Sequence, residues 1–386
     1  TSTFTIDHTM KYFLIAGEAS GDMHGAALMR ELRAIDPHAQ FCFLGGDLMQ
    51  HEGGNMIRHY RDMAFMGVVN VILNLHKIAK NFDLCAKAIK DFSPDAVILI
   101  DYPGFNLKVA KYVKNNLDIP VYYYIAPKLW AWKEYRIKTI KRYVDRMFTI
   151  FPFETEYFGK LGYNVEYVGN PTAEAIDNFL NNNATPSETD KSTTIALLCG
   201  SRRQEVLKCL PIMARMTGYF PQYKFVVAAA PNIDHSIYTR ILRGNTDVVY
   251  GDTYNVLRKA QAAIVNSGTA TLETAIIGTP QVVVYHVIGR LFVPLLRKIF
   301  IKIPFVSLVN LIAGKEVVTE LITPKFTERQ LYIELNKIVS SPKRYQEIKD
   351  GYRTVTQRLG KESASKNTAR LIYGYLENDR WLNKVK

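Results

Sequence analysis

An aspartate stands directly after a short apolar segment, at a point where a buried strand would end. Asp101 follows Ala96–Ile100, and Pro103 and Gly104 then turn the chain. A carboxylate in that position is partly desolvated, so its pKa can rise far enough for general-base chemistry. The same pattern suits an aspartate that caps the next helix or ties down the turn. Taken alone, it slightly favours this structural role.

The second half of the sequence contains a loop that is suited to binding an anion. A predicted strand ends at Leu198, Gly200 permits a tight turn, and a helix follows. Free N–H groups and the helix dipole attract negative charge at such a point. Ser201 adds a hydroxyl, and Arg202 adds donors that match phosphate. An ordinary turn with solvated arginines fits the loop equally well.

A similar loop occurs further along the same half of the chain, at residues 266–273. Ser267 could cap a helix there, and Gly268 would let a ligand approach the backbone. Glu273 lies two turns into that helix, where it could accept hydrogen bonds from ribose hydroxyls. A capped helix with a surface glutamate is the alternative. Two such loops on adjacent strands favour a diphosphate ligand more than either loop does alone.

A third turn, at residues 17–22, follows the first predicted strand. Its glycines, Gly17, Gly21 and Gly25, lack the spacing of a dinucleotide-binding motif, and the sequence has neither a P-loop nor a nucleophile elbow. Trp130 and Trp132 could line a sugar or acyl pocket, although packing between a helix and a sheet is the commoner role of such residues.

Metal ligands are not apparent in the sequence, which has no D-x-D motif and no His/Cys cluster with ligand spacing. We therefore expect neither a metal ion nor a cofactor. A leaving diphosphate would then be neutralised by Arg202 and helix dipoles.

Short apolar segments alternate with helical ones along the chain, which predicts parallel strands joined by crossover helices. The predicted strands are residues 11–16, 41–45, 96–100, 121–125, 146–150, 194–198, 224–228, 262–265 and 281–284. Residues 181–192 have no large apolar side chain and are predicted to be a linker. The sequence thus predicts two doubly wound α/β domains, at 1–182 and 193–360, that face a cleft. Helices at the end of the chain, residues 361–386, could pack on their own domain, return to the first, or swap between subunits.

The chain has 386 residues, and 49 basic against 36 acidic side chains give it a net charge of +13. Such a charge indicates an anionic partner. Nucleic acid is the least favoured one, because the basic residues are dispersed and no binding signature occurs. The four cysteines have no C-x-x-C spacing and suit a reducing compartment. Without a secretory segment or an apolar run long enough to span a bilayer, we expect a cytoplasmic protein with peripheral membrane contact.

Two segments have the character of membrane-contacting surfaces. Residues 66–79 form a helical pattern with a wide apolar arc, and residues 289–305 alternate bulky apolar groups with cations and contain no acidic residue. The first could instead be a helix wedged between a sheet and its neighbour. The candidate contact residues are Val68, Val69, Ile72, Leu73, Leu75, Phe292, Arg297, Lys298 and Phe300.

These motifs occur together in the order and spacing of a known family. The sequence resembles the lipid-A-disaccharide synthases, glycosyltransferase family 19, over nearly its full length. The matching segments are AGEASGD (16–22), MGVV (66–69), DYPGFN (101–106), WAW (130–132), FPFE (151–154), GSR (200–202), SGTATLE (267–273) and VSLVNLIAG (306–314). Each segment is weak evidence alone, but their combination is specific.

The resemblance implies a GT-B fold and a metal-independent, inverting transfer. The donor would be UDP-2,3-diacylglucosamine and the acceptor 2,3-diacylglucosamine 1-phosphate, joined through a β-1,6 link with release of UDP. Enzymes of the family act at the cytoplasmic face of the inner membrane of Gram-negative bacteria. An anionic lipid surface is therefore an expected partner, nucleic acid is not, and a homodimer is an assembly that the sequence permits.

The resemblance also assigns roles to residues. Asp101 becomes the expected general base, and Arg202 would stabilise the departing UDP. The other donor-binding residues would be Gly200, Ser201, Ser267, Gly268, Thr269, Glu273 at the ribose, and Asn310. The acceptor side would comprise Gly17, Glu18, Ser20, Gly21, Asp22 and Asn106.

This sequence departs from the family pattern at several positions. Cys199 and Val309 stand where proline is usual, and the second of these affects how Asn310 is presented. Gly104 replaces a second acidic residue, which leaves Glu18 and Asp22 as the alternatives to Asp101 as base.

Other functions remain open on the sequence alone. A UDP-GlcNAc epimerase, or a transferase acting on a polyprenyl-linked wall precursor, would share the donor loops. An epimerase would not need the basic apolar segment at 289–305. The glycine spacing argues against a Rossmann oxidoreductase, and a lipid-binding protein would not need the paired donor loops.

Overall fold

Two parallel β-sheets organise the chain, and each belongs to its own structural unit. The structure is a computed structural model that describes residues 9–63, 75–131, 133–183, 193–242, 246–286 and 304–385. The first unit is Thr1–Pro171 together with Glu362–Lys386, and the second is Thr172–Lys361. The first unit therefore contains chain from both sides of the second.

The described strands of the first unit pair in the order β3-β2-β1-β4-β5-β6-β7, and all of the pairs are parallel. They are β1 (Lys11–Ala16), β2 (Gln40–Gly45), β3 (Asn55–His59), β4 (Ala96–Ile100), β5 (Val121–Tyr124), β6 (Arg146–Thr149) and β7 (Glu166–Tyr167). The helices of this unit are α1 (Ala19–Ile35), α2 (Asp47–His51), α3 (Leu75–Phe92), α4 (Pro103–Asn116), α5 (Ile137–Tyr143) and α6 (Phe153–Lys160). Tyr60–Asp62 and Glu134–Arg136 are short 3₁₀ helices.

Alternate residues of the central strand β1 fill the cores on the two faces of this sheet. Tyr12 and Leu14 pack in one core with side chains of α1 and of the last helix. Phe13 and Ile15 pack in the other core with side chains of α3, α4 and α5. A strand that is apolar on both faces reads as a continuous hydrophobic run, which explains why β1 and β4 are visible in the sequence.

The described strands of the second unit pair in the order β10-β9-β8-β11-β12-β13, again all parallel. They are β8 (Thr194–Leu198), β9 (Lys224–Ala229), β10 (Thr246–Tyr250), β11 (Ala262–Asn266), β12 (Gln281–Tyr285) and β13 (Glu320–Ile322). The helices that follow in the chain are α7 (Pro171–Asn182), α8 (Arg203–Ala214), α9 (Met216–Tyr219), α10 (His235–Ile241), α11 (Thr253–Lys259), α12 (Thr269–Ile277), α13 (Leu308–Ala313), α14 (Glu328–Ser340), α15 (Pro342–Leu359) and α16 (Ala364–Val385). The prediction of two doubly wound parallel-sheet domains is confirmed.

The boundary between the units lies at the start of α7, whereas the sequence placed it after that helix, at residue 182. The physical reason is packing by Phe179, whose ring centroid lies 5.2 Å from that of Tyr254. The guanidinium carbon of Arg258 also lies 5.5 Å from the centre of the Phe179 ring. Because these partners are in α11, α7 groups with the second unit.

The last helix, α16, packs on the first unit. Its apolar side chains Ala369, Ile372 and Leu376 are buried in the core that α1 shares with β1. Polar contacts fix the register of the helix: Asn367 Nδ2 donates to Val168 O at 3.1 Å, and the Tyr375 hydroxyl donates to Glu166 Oε1 at 2.7 Å. The first unit is therefore completed only by residues that follow the second.

Truncating the fully buried Ile372 to alanine should destabilise the first unit by about 2–5 kcal/mol, because a cavity would remain under α16. Urea unfolding of the full chain, followed by circular dichroism, would measure the change. Asn378→Ala, at an exposed position of the same helix, is the control and should change the unfolding free energy by less than about 0.5 kcal/mol. Equal stability of the two variants would contradict the packing of α16 on the first unit.

Candidate active site

In the first unit the order of the strands reverses between β1 and β4. Ala16 and Ile100 are the last residues of these neighbouring strands and are paired in register, so Gly17 and Asp101 leave the same edge of the sheet side by side. The helices that follow, α1 and α4, pack on opposite faces. Ligands of doubly wound sheets bind at such a point, beyond the carboxyl ends of the strands.

The backbone at Asp101 is held in an unusual conformation. Both Asp101 and Tyr102 have positive φ angles, 44° and 47°, which non-glycine residues rarely adopt outside functional or strained sites. Hydrogen bonds fix the turn. Asp101 N donates to Tyr124 O at 3.1 Å, and Asp101 O accepts from the Tyr123 hydroxyl and from Asn106 Nδ2.

The side chain of Asp101 is not the cap of helix α4. The N-cap residue is Tyr102, and no side chain caps this end. Burial and, to a smaller extent, the charge of the nearby Glu18 raise the pKa of the Asp101 carboxyl to about 6, against the opposing effects of Lys128 and of the N–H of Tyr102. A carboxyl with this pKa is mostly ionised near neutral pH and is a stronger base than an ordinary aspartate. This geometry favours the chemical interpretation of Asp101 over the structural one.

Gly17 is required by the close approach of an aromatic ring. A Cβ atom at this position would lie 2.2 Å from Cδ1 of Tyr102. The ring is anchored at its far end, where the Tyr102 hydroxyl donates to Met63 O at 3.1 Å. The turn after β1 and the turn after β4 are thus packed directly against each other.

Glu18 and Ser20 lie at the open edge of the sheet, beside Gly17. Glu18 is the N-cap residue of α1, and its Oε1 accepts from the Ser20 hydroxyl at 3.1 Å. Ser20 is exposed and Glu18 is half-buried. Both side chains can therefore reach a ligand at this edge.

Asp22 has a structural task instead. Its Oδ1 accepts from the N–H groups of Gly46 and Met49 at 2.8 and 3.1 Å, and its Oδ2 accepts from Leu48 N at 3.1 Å. The side chain is buried and holds the start of α2. Because three backbone N–H groups occupy its two oxygens, this geometry favours Asp101 over Asp22 as the base. Gly21 is also buried, with its Cβ position 3.2 Å from the Cβ of Ala16.

Asn106 does not face the open edge either. It is fully buried, and its Nδ2 donates to the backbone oxygens of Ile15, Ile100 and Asp101 at 3.5, 3.3 and 2.8 Å. The side chain therefore ties together the ends of β1 and β4. The sequence predicted Asn106 on the acceptor side. Its side chain instead lies beneath that surface, where it supports Asp101.

Trp130 is engaged in packing and in one buried hydrogen bond. Its Nε1 donates to Glu154 Oε1 at 2.9 Å, and its ring meets that of Phe153 edge to face, 5.2 Å between centroids. Burial raises the pKa of Glu154 to about 8 although the hydrogen bond from Trp130 lowers it. Packing is thus the role that the structure gives Trp130, and Trp132 lies outside the described residues.

In the second unit the strand order reverses between β8 and β11, and both predicted anion loops stand there. Leu198, the last residue of β8, pairs with Val265, the second-last residue of β11. The turn at Gly200 has a φ of 105°, which favours glycine. Ser201 and Arg202 are exposed, with Arg202 as the N-cap residue of α8. The two loops therefore lie side by side at one edge, as the sequence predicted.

A carboxylate that the sequence analysis did not assign lies in the first of these loops. Glu205 Oε2 accepts from the N–H groups of Ser201 and Arg202 at 3.1 and 3.3 Å, and its Oε1 accepts from Arg202 Nη1 at 2.9 Å. The signal that could have revealed it is its spacing, since a glutamate three residues after an N-cap residue can accept from the N–H of that residue, as the glutamate of a capping box does. The backbone N–H groups of Ser201 and Arg202, which were expected to bind diphosphate, are thus already occupied.

The second loop is open. Apart from its chain neighbours, no atom of the described residues lies within 4 Å of the position of a Cβ at Gly268. Gly268, rather than Ser267, is the N-cap residue of α12, and the N–H of Ser267 donates to Val284 O at 2.8 Å. Thr269 begins the helix. This loop retains the free helix N-terminus that the sequence predicted.

Glu273 lies on α12 and is half-buried. Burial raises the pKa of its carboxyl. Its charge contributes, after burial, to raising the pKa of Tyr254 to about 12. Within the described part of the chain, Glu273 has no recorded hydrogen-bond or salt-bridge partner, which leaves its oxygens available to a ligand.

Asn310 is buried and its side-chain amide is fully engaged. Its Oδ1 accepts from the N–H groups of Val317 and Val318 at 2.8 and 3.0 Å. Its Nδ2 donates to Val318 O and to Glu320 Oε1, each at 2.9 Å. Asn310 therefore supports the chain around α13, and its expected role in donor binding stays a prediction.

The residues expected to contact the membrane cannot be placed. Val68, Val69, Ile72, Leu73, Phe292, Arg297, Lys298 and Phe300 lie outside the described residues, as does the side chain of Leu75. Across the described ranges no helix combines the length and apolar character needed to cross a bilayer. Nor are three histidine, cysteine, aspartate or glutamate side chains grouped there as ligands of a metal ion.

Comparison with known proteins connects this site to a family. A family model described as lipid-A-disaccharide synthetase matches residues 12–372. The chain belongs to this family. A lipid-A-disaccharide synthase of Syntrophus aciditrophicus (strain SB) is 35% identical over 367 residues, which cover 92% of this chain and 95% of the relative. The family prediction made from the motifs is confirmed.

Solved structures of other enzymes share the fold of this lipid-A-disaccharide synthase family member. UDP-GlcNAc 2-epimerase from Neisseria meningitidis, bound to UDP-GlcNAc, has a TM-score of 0.63 at 15% identity and covers 95% of this chain and 100% of its own. The calicheamicin glycosyltransferase CalG4 has a TM-score of 0.59 at 13% identity and covers 96% and 99%. At these identities the likeness concerns the fold alone, and it supports the predicted GT-B class.

Gly17→Ala should destabilise the protein by about 1–3 kcal/mol, because the added methyl group would displace the Tyr102 ring. Gly104→Ala is a matched control in the neighbouring turn, since no atom lies within 4 Å of its Cβ position. It should leave the stability unchanged or slightly raised. Chemical denaturation of both variants would measure the difference, and a Gly17→Ala protein as stable as the control would contradict the packing described for Tyr102.

Proposed function

We propose that this protein transfers diacylglucosamine from UDP-2,3-diacylglucosamine to the 6-hydroxyl of 2,3-diacylglucosamine 1-phosphate. The products are a β-1,6-linked disaccharide 1-phosphate, the precursor of lipid A, and UDP. Membership of the lipid-A-disaccharide synthase family supports the substrates. The observation that carries the chemistry is Asp101, a carboxyl held at the strand-order reversal with a raised pKa.

In the proposed reaction Asp101 accepts the proton of the acceptor hydroxyl. The hydroxyl oxygen attacks the anomeric carbon of the donor, and the bond from that carbon to the diphosphate oxygen breaks. Attack on the face opposite the leaving group inverts the anomeric centre. The proton remains on Asp101 until solvent removes it, and the negative charge leaves with UDP.

The second unit supplies the donor-binding groups in this proposal. The open loop at Ser267, Gly268 and Thr269 presents the N-terminus of α12 to the diphosphate. Glu273 accepts hydrogen bonds from the ribose, since its carboxylate is half-buried and has no protein partner recorded in the described chain. Arg202, with the Ser201 hydroxyl beside it, neutralises the charge that develops on UDP. No metal ion is needed for that task.

Glu18 has an electrostatic role on the acceptor side. Its negative charge raises the pKa of Asp101, while Lys128 lowers it. Burial is the main cause of the raised pKa, and these two side chains adjust the pH range in which Asp101 can act as a base. Gly17 and Ser20 complete the edge that an acceptor would meet.

Both proposed substrates carry acyl chains, so the enzyme must work at a lipid surface. We place it at the cytoplasmic face of the inner membrane as a peripheral protein. The net charge of +13 supports attraction to anionic headgroups. Residues 66–79 and 289–305 are the proposed contact segments.

A UDP-GlcNAc epimerase is the second candidate, because an enzyme of that class shares the fold. It is not favoured, since the family match extends over residues 12–372 and is to the disaccharide synthases.

Replacing Asp101 by asparagine should slow disaccharide formation at least about a hundredfold, as the loss of a general base does. UDP binding should be retained, because the proposed donor contacts lie on other residues. The assay follows disaccharide and UDP from the two acylated substrates in the presence of EDTA. Asp83→Asn, an exposed carboxyl on α3, is the control and should behave as wild type. A wild-type protein that binds UDP but forms no disaccharide would refute the proposed activity.

The pH dependence should move in opposite directions in two neighbouring variants. The wild-type kcat/KM should rise with pH through about 6, where Asp101 loses its proton. Glu18→Gln removes a negative charge that raises this pKa, so the acidic limb should shift to lower pH. Lys128→Gln removes a charge that lowers it, so the limb should shift to higher pH. Pre-steady-state or kcat/KM profiles would show both shifts.

This pair of variants also distinguishes Glu18 from Asp101 as the base. A Glu18→Gln enzyme that is inactive at every pH would identify Glu18 as the base. Shifts of the two variants in the same direction would contradict the electrostatic assignment.

A further inference from the structure

The carboxylate of Glu205 fills the first donor loop from within the protein. Its two oxygens take three hydrogen bonds, two from the backbone N–H groups of Ser201 and Arg202 and one from the Arg202 guanidinium. These donors are the ones that would otherwise bind a diphosphate at this loop. A negative group that already occupies them repels a second one.

Gly200 has no side chain, which leaves room for the carboxylate of Glu205. A Cβ at Gly200 would lie 2.4 Å from Glu205 Oε2 and 2.8 Å from Asn266 Nδ2. The glycine therefore makes room for an internal side chain. This contrasts with Gly268 of the second loop, around which the structure has open space.

Arg202 is held at one end of its guanidinium and free at the other. Nη1 is paired with Glu205 Oε1 at 2.9 Å, while the side chain as a whole is 79% exposed. A guanidinium has five N–H donors, so most of them still point toward solvent. A single anchored bond restricts the rotamers of a long side chain without using up its capacity to bind phosphate.

We propose that Glu205 is a positioning residue that fixes Arg202 for the leaving UDP and occupies the backbone N–H groups of Ser201 and Arg202 in place of the diphosphate. The diphosphate is then bound by the N-terminus of α12 at the second loop, and the first loop contributes only the Arg202 and Ser201 side chains. This inference rests on the function proposed above. It assigns different tasks to two loops that look equivalent in the sequence.

The alternative is that Glu205 is a placeholder which UDP displaces. The hydrogen bonds favour positioning, because displacement would break all three of them, including the one that caps the N–H of Arg202 at the start of α8. A placeholder would compete with UDP, whereas a positioning residue would leave UDP affinity nearly unchanged. The two roles therefore differ in a measurable quantity.

The decisive variant is Glu205→Gln. The glutamine oxygen can still accept from the two backbone N–H groups, but its NH₂ group cannot accept from Arg202, so the loop keeps its cap and Arg202 loses its anchor. We expect kcat for disaccharide formation to fall about tenfold or more, with the Kd for UDP within about threefold of wild type. Calorimetry would measure UDP binding and thermal unfolding would confirm the fold.

A double-mutant cycle tests whether Glu205 acts through Arg202. Arg202→Ala alone and Arg202→Ala with Glu205→Gln should have the same kcat, because without the Arg202 side chain Glu205 has no guanidinium to position. Glu347→Gln breaks another Arg–Glu pair with the same three-residue spacing in the second unit. It is the control and should leave both kcat and UDP binding unchanged.

Three results would overturn the proposal: UDP binding to Glu205→Gln that is more than about threefold tighter, a wild-type kcat in that variant, or effects of the two substitutions that multiply. The first of these would establish the placeholder role. A wild-type protein that binds UDP without forming disaccharide would refute the proposed function itself, and this inference would fall with it.

Discussion

The reversal of strand order within each sheet is the constraint on which the sites depend. Between β1 and β4 the chain leaves the sheet toward opposite faces, so the carboxyl edge at that point is not covered by either following helix. Because neither of these helices covers this edge, a polar side chain there does not need a hydrogen-bond partner inside the protein. The same reversal between β8 and β11 places two helix N-termini side by side. Polar residues thus acquire chemical roles because they lie at the point where the strand order reverses.

Around Asp101 the fold combines a strained backbone with selective burial. Two consecutive residues with positive φ hold the carboxyl at the edge, and the buried amide of Asn106 supports them from below. Burial and Glu18 raise the pKa of the carboxyl, against Lys128. The packing and hydrogen bonds of Tyr102 and Tyr123 offset the conformational free energy of the strained turn.

The sequence predicted the central strands and missed those at the margins. The segments 96–100 and 194–198 are continuous apolar runs, because they are buried on both faces, and their bounds are those of β4 and β8. Strand β3 carries Arg58 and His59, and β10 has three half-buried and two exposed residues. Such edge strands mix polar and apolar side chains and have no clear period.

The site residues show a similar division. Motif position correctly brought the two anion loops of the second unit to one edge, because parallel strands end together. It could not tell which polar side chains turn toward the protein. Asp22 and Asn106 lie in the helices that follow such ends, and Asn310 lies in a short helix elsewhere, yet the side chain of each is hydrogen-bonded to backbone groups within the protein. Those partners are fixed by tertiary packing, which a local pattern does not contain.

The return of α16 to the first unit affects how the chain is made. During synthesis, α1 and β1, whose side chains form the core that receives Ile372 and Leu376, are made before those two residues. Their apolar surface is therefore covered only when α16 has been made. The second unit, which is continuous from Thr172 to Lys361, can complete its own core while that surface is still open. The nascent protein therefore carries an exposed apolar surface through most of its synthesis, and a chaperone that shields such surfaces would act on this half of the molecule.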